Sequence, residues 1–223
     1  EPALRVDTSA QLLRDKKYIY DHSCLQLVAP SEWLKGKVAR SVLKTHPIEL
    51  IYNAVDTKIF KPRSKSEIRR KYAIPEGAFV LGAVAHGGAI DNQWKGGRYT
   101  KEALEQLWSL YPNLLFLNIG AEKASAHAKC INIPHVTSEE DLAGVYSILD
   151  VFLYTPLADT CPLVVIEALS CGVPIVSFAT GGVPELVRDG QDGFITPCKD
   201  VHELVRAVTL LIGNARQRSL FSH

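Results

Sequence analysis

From about residue 78 onward, short apolar runs alternate with amphipathic segments, and no other feature constrains the fold as tightly. The runs are Phe79 to Ala85, Leu114 to Ile119, Cys130 to Ile133, Val151 to Tyr154, Pro174 to Phe178 and Gly193 to Thr196. Such short, near-continuous apolar runs mark strands buried on both faces. Between them, Ala103, Leu104, Leu107, Trp108 and Tyr111 fall on one helical face. Ser138-Glu139-Glu140-Asp141 opens a helix that carries Leu142, Val145, Tyr146 and Leu149. Its acids suit the positive end of the helix dipole. Six strands interleaved with helices predict a doubly wound, parallel α/β sheet.

The chain ahead of that alternation reads differently. In residues 1–47, Asp7 or Thr8 can cap a helix carrying Leu12, Leu13, Ile19 and Tyr20. Leu25 to Ala29 is strand-like, and Pro30-Ser31-Glu32 opens a second helix. One strand and two helices cannot close a core, so residues 1–47 read as the tail of a preceding domain. Residues 48–77 read as a connector that is strand-like at Ile48 to Tyr52 and carries a first helix, for which Ser64-Lys65-Ser66-Glu67 is a capping box. Lys61, Arg63, Lys65, Arg69, Arg70 and Lys71 read as a solvated face, since no aromatic residues interleave them as a nucleic-acid platform would require. Residues 78–212 form the main domain, and residues 213–223 read as the start of a truncated helix.

Composition narrows the classes. With 25 Lys and Arg against 24 Asp and Glu, the net charge is +1, which argues against a global polyanion-binding surface. No apolar run approaches the roughly 18 residues of a membrane span. Five scattered cysteines without a CxxC pair read as reduced thiols of a cytoplasmic protein. No zinc-ligand spacing is present, so no metal site is expected. The chain has no Met, and is read as a fragment or a processed form.

In doubly wound sheets, ligands bind at the carboxyl ends of the strands. That selects loops 86–97, 120–122, 155–162 and 179–184. In loop 155–162, Pro162 suits the first helical position, with Thr160 or Cys161 as cap. The N–H groups near Leu163 and Val164 would then face the loop mouth as an anion site. Glu167 lies one turn further on the same face, placed to accept from ribose hydroxyls. Asp159 is either a sugar contact or an ordinary cap, and Glu167 either a ribose ligand or a surface acid. Cys161 is either a thiol activated by the helix end or a small buried one. In loop 86–97, Gly87 and Gly88 allow close approach of phosphate, and Lys95 could neutralise it. No nucleophile–base pair stands out.

Taken together, these residues resemble the C-terminal half of family-4 (group 1) glycosyltransferases, which have the GT-B fold. The resemblance spans about residues 25–215. Its marks are Ser31-Glu32-Trp33-Leu34, Ile51 to Asp56 with Phe60-Lys61-Pro62, Lys95-Gly96, Asp159 through Glu167 to Pro174, and Gly181-Gly182-Val183-Pro184-Glu185. It implies a Rossmann-like, nucleotide-sugar-binding half of a retaining transferase that uses no catalytic metal or other cofactor. Glu167 matches the second glutamate of the E-x7-E motif, which holds the ribose. Asp159 stands at the first, the contact to the transferred sugar. Lys95 matches the cation on the leaving diphosphate. Leu163 and Val164, with Cys161 and Pro162 before them, match the diphosphate cradle, and Gly87 and Gly88 the phosphate loop.

The sequence departs from that pattern in four ways. Asp159 replaces a glutamate. The arginine usual ahead of the lysine is missing from residues 82–94, leaving Gln93, Trp94 or Arg98 to compensate. Pro162 occupies a usual glycine position. The N-terminal acceptor domain is represented only by its tail, so the chain alone is expected to bind the sugar donor without turnover. The resemblance further implies an unidentified sugar or lipid-linked acceptor, a role in bacterial polysaccharide synthesis, and peripheral contact with the inner membrane face. A non-catalytic nucleotide-sugar-binding module and a GT-B sugar-nucleotide epimerase are the alternatives.

Overall fold

The computed structural model describes residues 7–123 and 127–222. The chain divides into two compact units, residues 1–53 and residues 54–223. In the first, α1 (Ser9–Asp21) is followed by β1 (Leu27–Ala29), α2 (Glu32–Val38) and β2 (Ile48–Leu50). The Ser31 hydroxyl caps α2 by accepting from the Leu34 N–H. β2 pairs in parallel with β1, with Leu27 opposite Ile48 and Ala29 opposite Leu50. The strand expected from Ile48 is present over Ile48–Leu50, where its backbone completes the ladder that β1 starts within the first unit.

The second unit opens on α3 (Lys65–Lys71). The expected capping box does not form: the Ser64 side chain makes no cap and lies 3.3 Å from the Ser66 hydroxyl instead. Nor is the basic face wholly solvated. Arg69 Nη2 meets Asp150 Oδ2 at 2.8 Å and also donates to the Ile148 carbonyl at 2.9 Å. Lys65 Nζ donates to the Leu149 carbonyl. These cations cover carbonyls at the end of the helix that precedes Asp150, where the dipole is negative.

A six-stranded parallel sheet follows. Its strands are β3 (Phe79–Val84), β4 (Leu114–Ile119), β5 (Cys130–Ile133), β6 (Val151–Tyr154), β7 (Ile175–Phe178) and β8 (Gly193–Thr196). Their spatial order is β5-β4-β3-β6-β7-β8. All six expected strands are present. The helices are α4 (Gly97–Leu110), α5 (Glu139–Ser147), α6 (Leu163–Ser170), α7 (Val183–Leu186) and α8 (Val201–Gly213). Alternate strand residues feed two cores. Val80, Leu117, Phe152 and Tyr154 join Tyr146 and Val165 on one face of the sheet. Leu81, Phe116, Leu153 and Phe178 join Leu104, Leu107 and Leu204 on the other.

After α8 the chain forms α9 (Ala215–Phe221), capped by Asn214 Oδ1, which accepts from the Gln217 N–H. Phe221 is buried and meets the Phe194 ring edge-on at 5.5 Å. The last residues thus pack as a separate helix, because Phe221 adds to the second core. Among the described residues, no helix is long and apolar enough to cross a membrane.

The strand order positions the site. The chain runs outward from β3 to β4 and β5, then returns to β6 beside β3 and proceeds to β7 and β8. The direction of winding reverses between β3 and β6. In such sheets the carboxyl ends of the strands flanking that reversal are the usual ligand position.

Candidate functional site

The loop after β3 carries Lys95 to the carboxyl end of the sheet at this reversal. Residues Gln93–Lys95 form one 3₁₀ turn, held by Asn92 Oδ1, which accepts from the N–H groups of Trp94 (3.0 Å) and Lys95 (3.2 Å). The turn is fastened to the loop after β6: the Thr155 hydroxyl donates to the Lys95 carbonyl at 3.1 Å. Thr100 and Thr155 hydroxyls lie 2.7 Å apart in a buried pair. Gly96 has φ +74°, and a Cβ there would lie 1.9 Å from the Thr155 carbonyl oxygen. Only glycine lets the two loops approach this closely.

The loop after β6 delivers Asp159. Its Oδ2 accepts from Lys95 Nζ at 3.1 Å and from the Tyr154 hydroxyl at 2.6 Å. Its Oδ1 accepts from the Thr160 N–H at 2.9 Å. Asp159 is not a helix cap, since no side chain caps α6. The Asp159 carbonyl also accepts from the Gly182 N–H at 3.3 Å, tying this loop to the one after β7.

Helix α6 begins one residue later than expected. Pro162 is extended (φ −69°, ψ 116°) and is itself the N-cap, with its carbonyl accepting from the Val165 N–H at 3.2 Å. The chain turns helical only at Leu163, because Pro162 makes the first carbonyl acceptor while lacking an N–H of its own. Leu163 is exposed and Val164 half-buried, while Cys161 is buried. None of the five cysteines forms a disulfide.

Glu167 lies on α6 and is half-buried. The hydroxyl of Tyr146, from α5, donates to its Oε2 at 2.7 Å. Burial raises the Glu167 carboxyl above its ordinary range; the Tyr146 hydrogen bond opposes this, and the Glu139 charge adds to it. Burial also raises the Tyr146 and Tyr154 phenols, each with a carboxylate neighbour adding to the shift. Both phenols therefore stay protonated and donate.

Gly87 is exposed and Gly88 buried in the turn after β3. The Gly88 N–H donates to the Ala85 carbonyl at 2.8 Å. Next to it, the Ala89 N–H donates to Asn118 Oδ1 at 2.7 Å, and Asn118 Nδ2 reaches Asn132 Oδ1 at 3.1 Å. A ladder of amides thus ties the glycine turn to the ends of β4 and β5.

The fold and these loops meet an independent finding. The family model of glycosyl transferases group 1 matches residues 64–222. The chain belongs to this family. Among curated group 1-like relatives, it is 26% identical over 216 residues to sulfoquinovosyl transferase SQD2 of Arabidopsis thaliana, covering 92% of this chain and 41% of that protein. It is 28% identical over 186 residues to D-inositol 3-phosphate glycosyltransferase of Stackebrandtia nassauensis, covering 74% of this chain and 41% of that protein. It thus spans less than half the length of these relatives.

Solved structures share the fold. Sucrose-phosphate synthase of Thermosynechococcus elongatus superposes with a TM-score of 0.80 at 20% identity, over 98% of this chain and 57% of that one. The C-terminal domain of the group 1 family protein LpcC of Francisella tularensis superposes at 0.66 and 18% identity, over 76% of this chain and 93% of that domain. Both agree with one half of a GT-B fold.

Sequence reasoning missed several residues of this candidate site. Tyr146 and Tyr154 read only as apolar-face residues. A buried phenol needs a partner for its hydroxyl, and that need is the signal that could have found them. Asn118 was passed over inside an apolar strand, where a buried amide must likewise be satisfied. Thr155 and Asn92 carried no signal that spacing could show.

Proposed function

We propose that this chain is the nucleotide-sugar-binding half of a retaining glycosyltransferase, with a nucleoside-diphosphate sugar as substrate. The observation that carries the reading is the convergence of Lys95 and Asp159, 3.1 Å apart, in front of the start of α6. Leu163 and Val164 offer the first helical N–H groups to the diphosphate, beside Cys161 and Pro162. Lys95 supplies the opposing positive charge, and Gly87 and Gly88 leave room for phosphate. Glu167 accepts from the ribose hydroxyls, and Asp159 stands nearest the transferred sugar. HepE of Anabaena, solved in complex with UDP-glucose, superposes with a TM-score of 0.78 at 20% identity, which supports a nucleotide sugar as the ligand class.

The chemistry follows from charge. Breaking the bond between the anomeric carbon and the phosphate oxygen leaves its electron pair on the diphosphate. A fixed ammonium and helix N–H groups stabilise that developing charge most in the transition state. The acceptor oxygen bonds to the anomeric carbon on the face the diphosphate leaves, and its proton passes to the departing phosphate oxygen. The acceptor, an unidentified sugar or lipid-linked hydroxyl, belongs to a further domain of the whole protein. A cytoplasmic setting, with contact at a membrane face, is part of the same proposal.

Calorimetric titration of the chain with UDP, GDP and their sugars tests this reading. Saturable binding that Glu167→Ala abolishes is the expected result. A folded chain that binds none of them, or a variant that binds equally well, overturns it.

A further inference from the structure

Lys95 is an unbranched cation on a flexible stem, and nothing in its own helical turn fixes where its ammonium points. The contact that does so is Asp159 Oδ2. That oxygen has a second partner, the Tyr154 hydroxyl at 2.6 Å. Tyr154 closes β6, is 4% exposed, and stacks on Phe152 with ring centroids 6.1 Å apart and planes 19° from parallel. Its hydroxyl is therefore a fixed point of the sheet. The Asp159 carboxylate torsion is soft by comparison. With Thr160 N–H holding only Oδ1, the second oxygen takes its direction from Tyr154.

We propose that Tyr154 is a positioning residue: through Asp159 Oδ2 it aims the Lys95 ammonium across the opening of the loop before α6. The device deepens the proposed function, and its bearing on ligands rests on that reading. Charge-assisted hydrogen bonds are short and directional, so the chain phenol–carboxylate–ammonium carries orientation from the rigid sheet into a mobile side chain. The ammonium is then in place before any ligand arrives, and its ordering costs nothing at the moment of binding. The shortened acid at position 159 suits this role, because its carboxylate stays within reach of a phenol only five residues back in the chain.

The test uses the 223-residue chain as wild type and as Tyr154→Phe, Asp159→Asn and Lys95→Ala variants. One arm needs no ligand: the rate at which an amine-acylating reagent labels Lys95, read by peptide mass spectrometry. Loss of the tether frees the amine, so labelling rises about three- to tenfold in Tyr154→Phe and in Asp159→Asn. The other arm compares UDP with UMP, and GDP with GMP. Tyr154→Phe is expected to lower the preference for diphosphate over monophosphate about three- to tenfold while leaving the monophosphate Kd unchanged, and to have no further effect in the Lys95→Ala background. A merely packing role would weaken both ligands alike. Wild-type labelling of Lys95 in a folded Tyr154→Phe chain overturns the tether, as does equal weakening of mono- and diphosphate. A wild-type chain that binds no nucleotide sinks the proposed function, and the labelling arm then decides the tether alone.

Discussion

The Tyr146 hydroxyl donates to Glu167 Oε2 at 2.7 Å, joining the last turn of α5 to the second turn of α6. Tyr146 is fully buried, and its ring meets Phe152 edge-on at 5.7 Å. The carboxylate is thus held by a phenol that the core itself fixes. Removing the hydroxyl in Tyr146→Phe leaves a half-buried acceptor short of its partner. The expected cost is about 1 to 3 kcal/mol in denaturant unfolding. A midpoint unchanged from wild type would show that water replaces the phenol at no cost.

Glu167 also sets a pH dependence. Its carboxyl is raised from an ordinary 4.5, mainly by burial, so the folded chain holds this proton to higher pH than the unfolded chain does. Its contribution to stability is therefore full below 4.5 and is lost as pH climbs through the raised value. Urea unfolding from pH 4.5 upward measures this, with Glu167→Gln as reference. The variant should lose less stability over that climb. Parallel curves for the two proteins would refute the assignment.

Gly181 closes the loop after β7 against the Asp159 backbone. Its φ is +57°, and a Cβ would fall 1.6 Å from the Asp159 carbonyl oxygen. Gly181→Ala must move that loop, with an expected cost of at least about 2 kcal/mol by thermal or urea unfolding. Gly190→Ala is the control: its φ is +74°, but no atom lies within 4 Å of the added carbon. It should cost only the left-handed penalty, about 1 kcal/mol. Equal losses at both sites would mean that steric contact at Asp159 is unimportant.

Asp150 anchors α3 to the sheet. Its Oδ2 accepts from Arg69 Nη2 and from the Val80 N–H, both at 2.8 Å, and Lys65 Nζ lies 3.2 Å from Oδ1. Arg69 and Asp150 side chains are 18% and 17% exposed. Asp150→Ala leaves the half-buried guanidinium without its counter-charge, though still bonded to the Ile148 and Ala78 carbonyls, and the Val80 N–H without its acceptor, at an expected cost of about 2 to 4 kcal/mol in urea unfolding. Arg70→Ala on the same helix should be within about 0.5 kcal/mol of wild type. Similar losses for both would return α3 to the solvated face that its charge pattern suggests.

Much of the fold was legible because its signals are local. Strands buried on both faces must be continuous apolar runs, so the six strands of the large sheet stand out in the sequence. Caps such as Ser31 and Asp200 sit beside the helices they start. Local signals failed where another partner competed: Ser64 turned to Ser66, and Pro162 kept an extended backbone. Both strands of the small sheet are legible as strand-like runs, but their pairing is not, since no local signal lays β2 against β1.

The candidate site divides the same way. Residue types and spacing near the loop ends make Lys95, Asp159 and Glu167 candidates, and the resemblance to group 1 glycosyltransferases gives them their expected roles. Their relations were decided by tertiary structure. Lys95 and Asp159 are 64 residues apart and meet only because β3 and β6 are neighbours at the reversal of strand order. Tyr146 and Tyr154 carry the same apolar rings whether or not a carboxylate waits at the hydroxyl. Packing brings the carboxylates there, and hydrogen-bond direction, which one-dimensional order does not encode, turns two core residues into parts of the site.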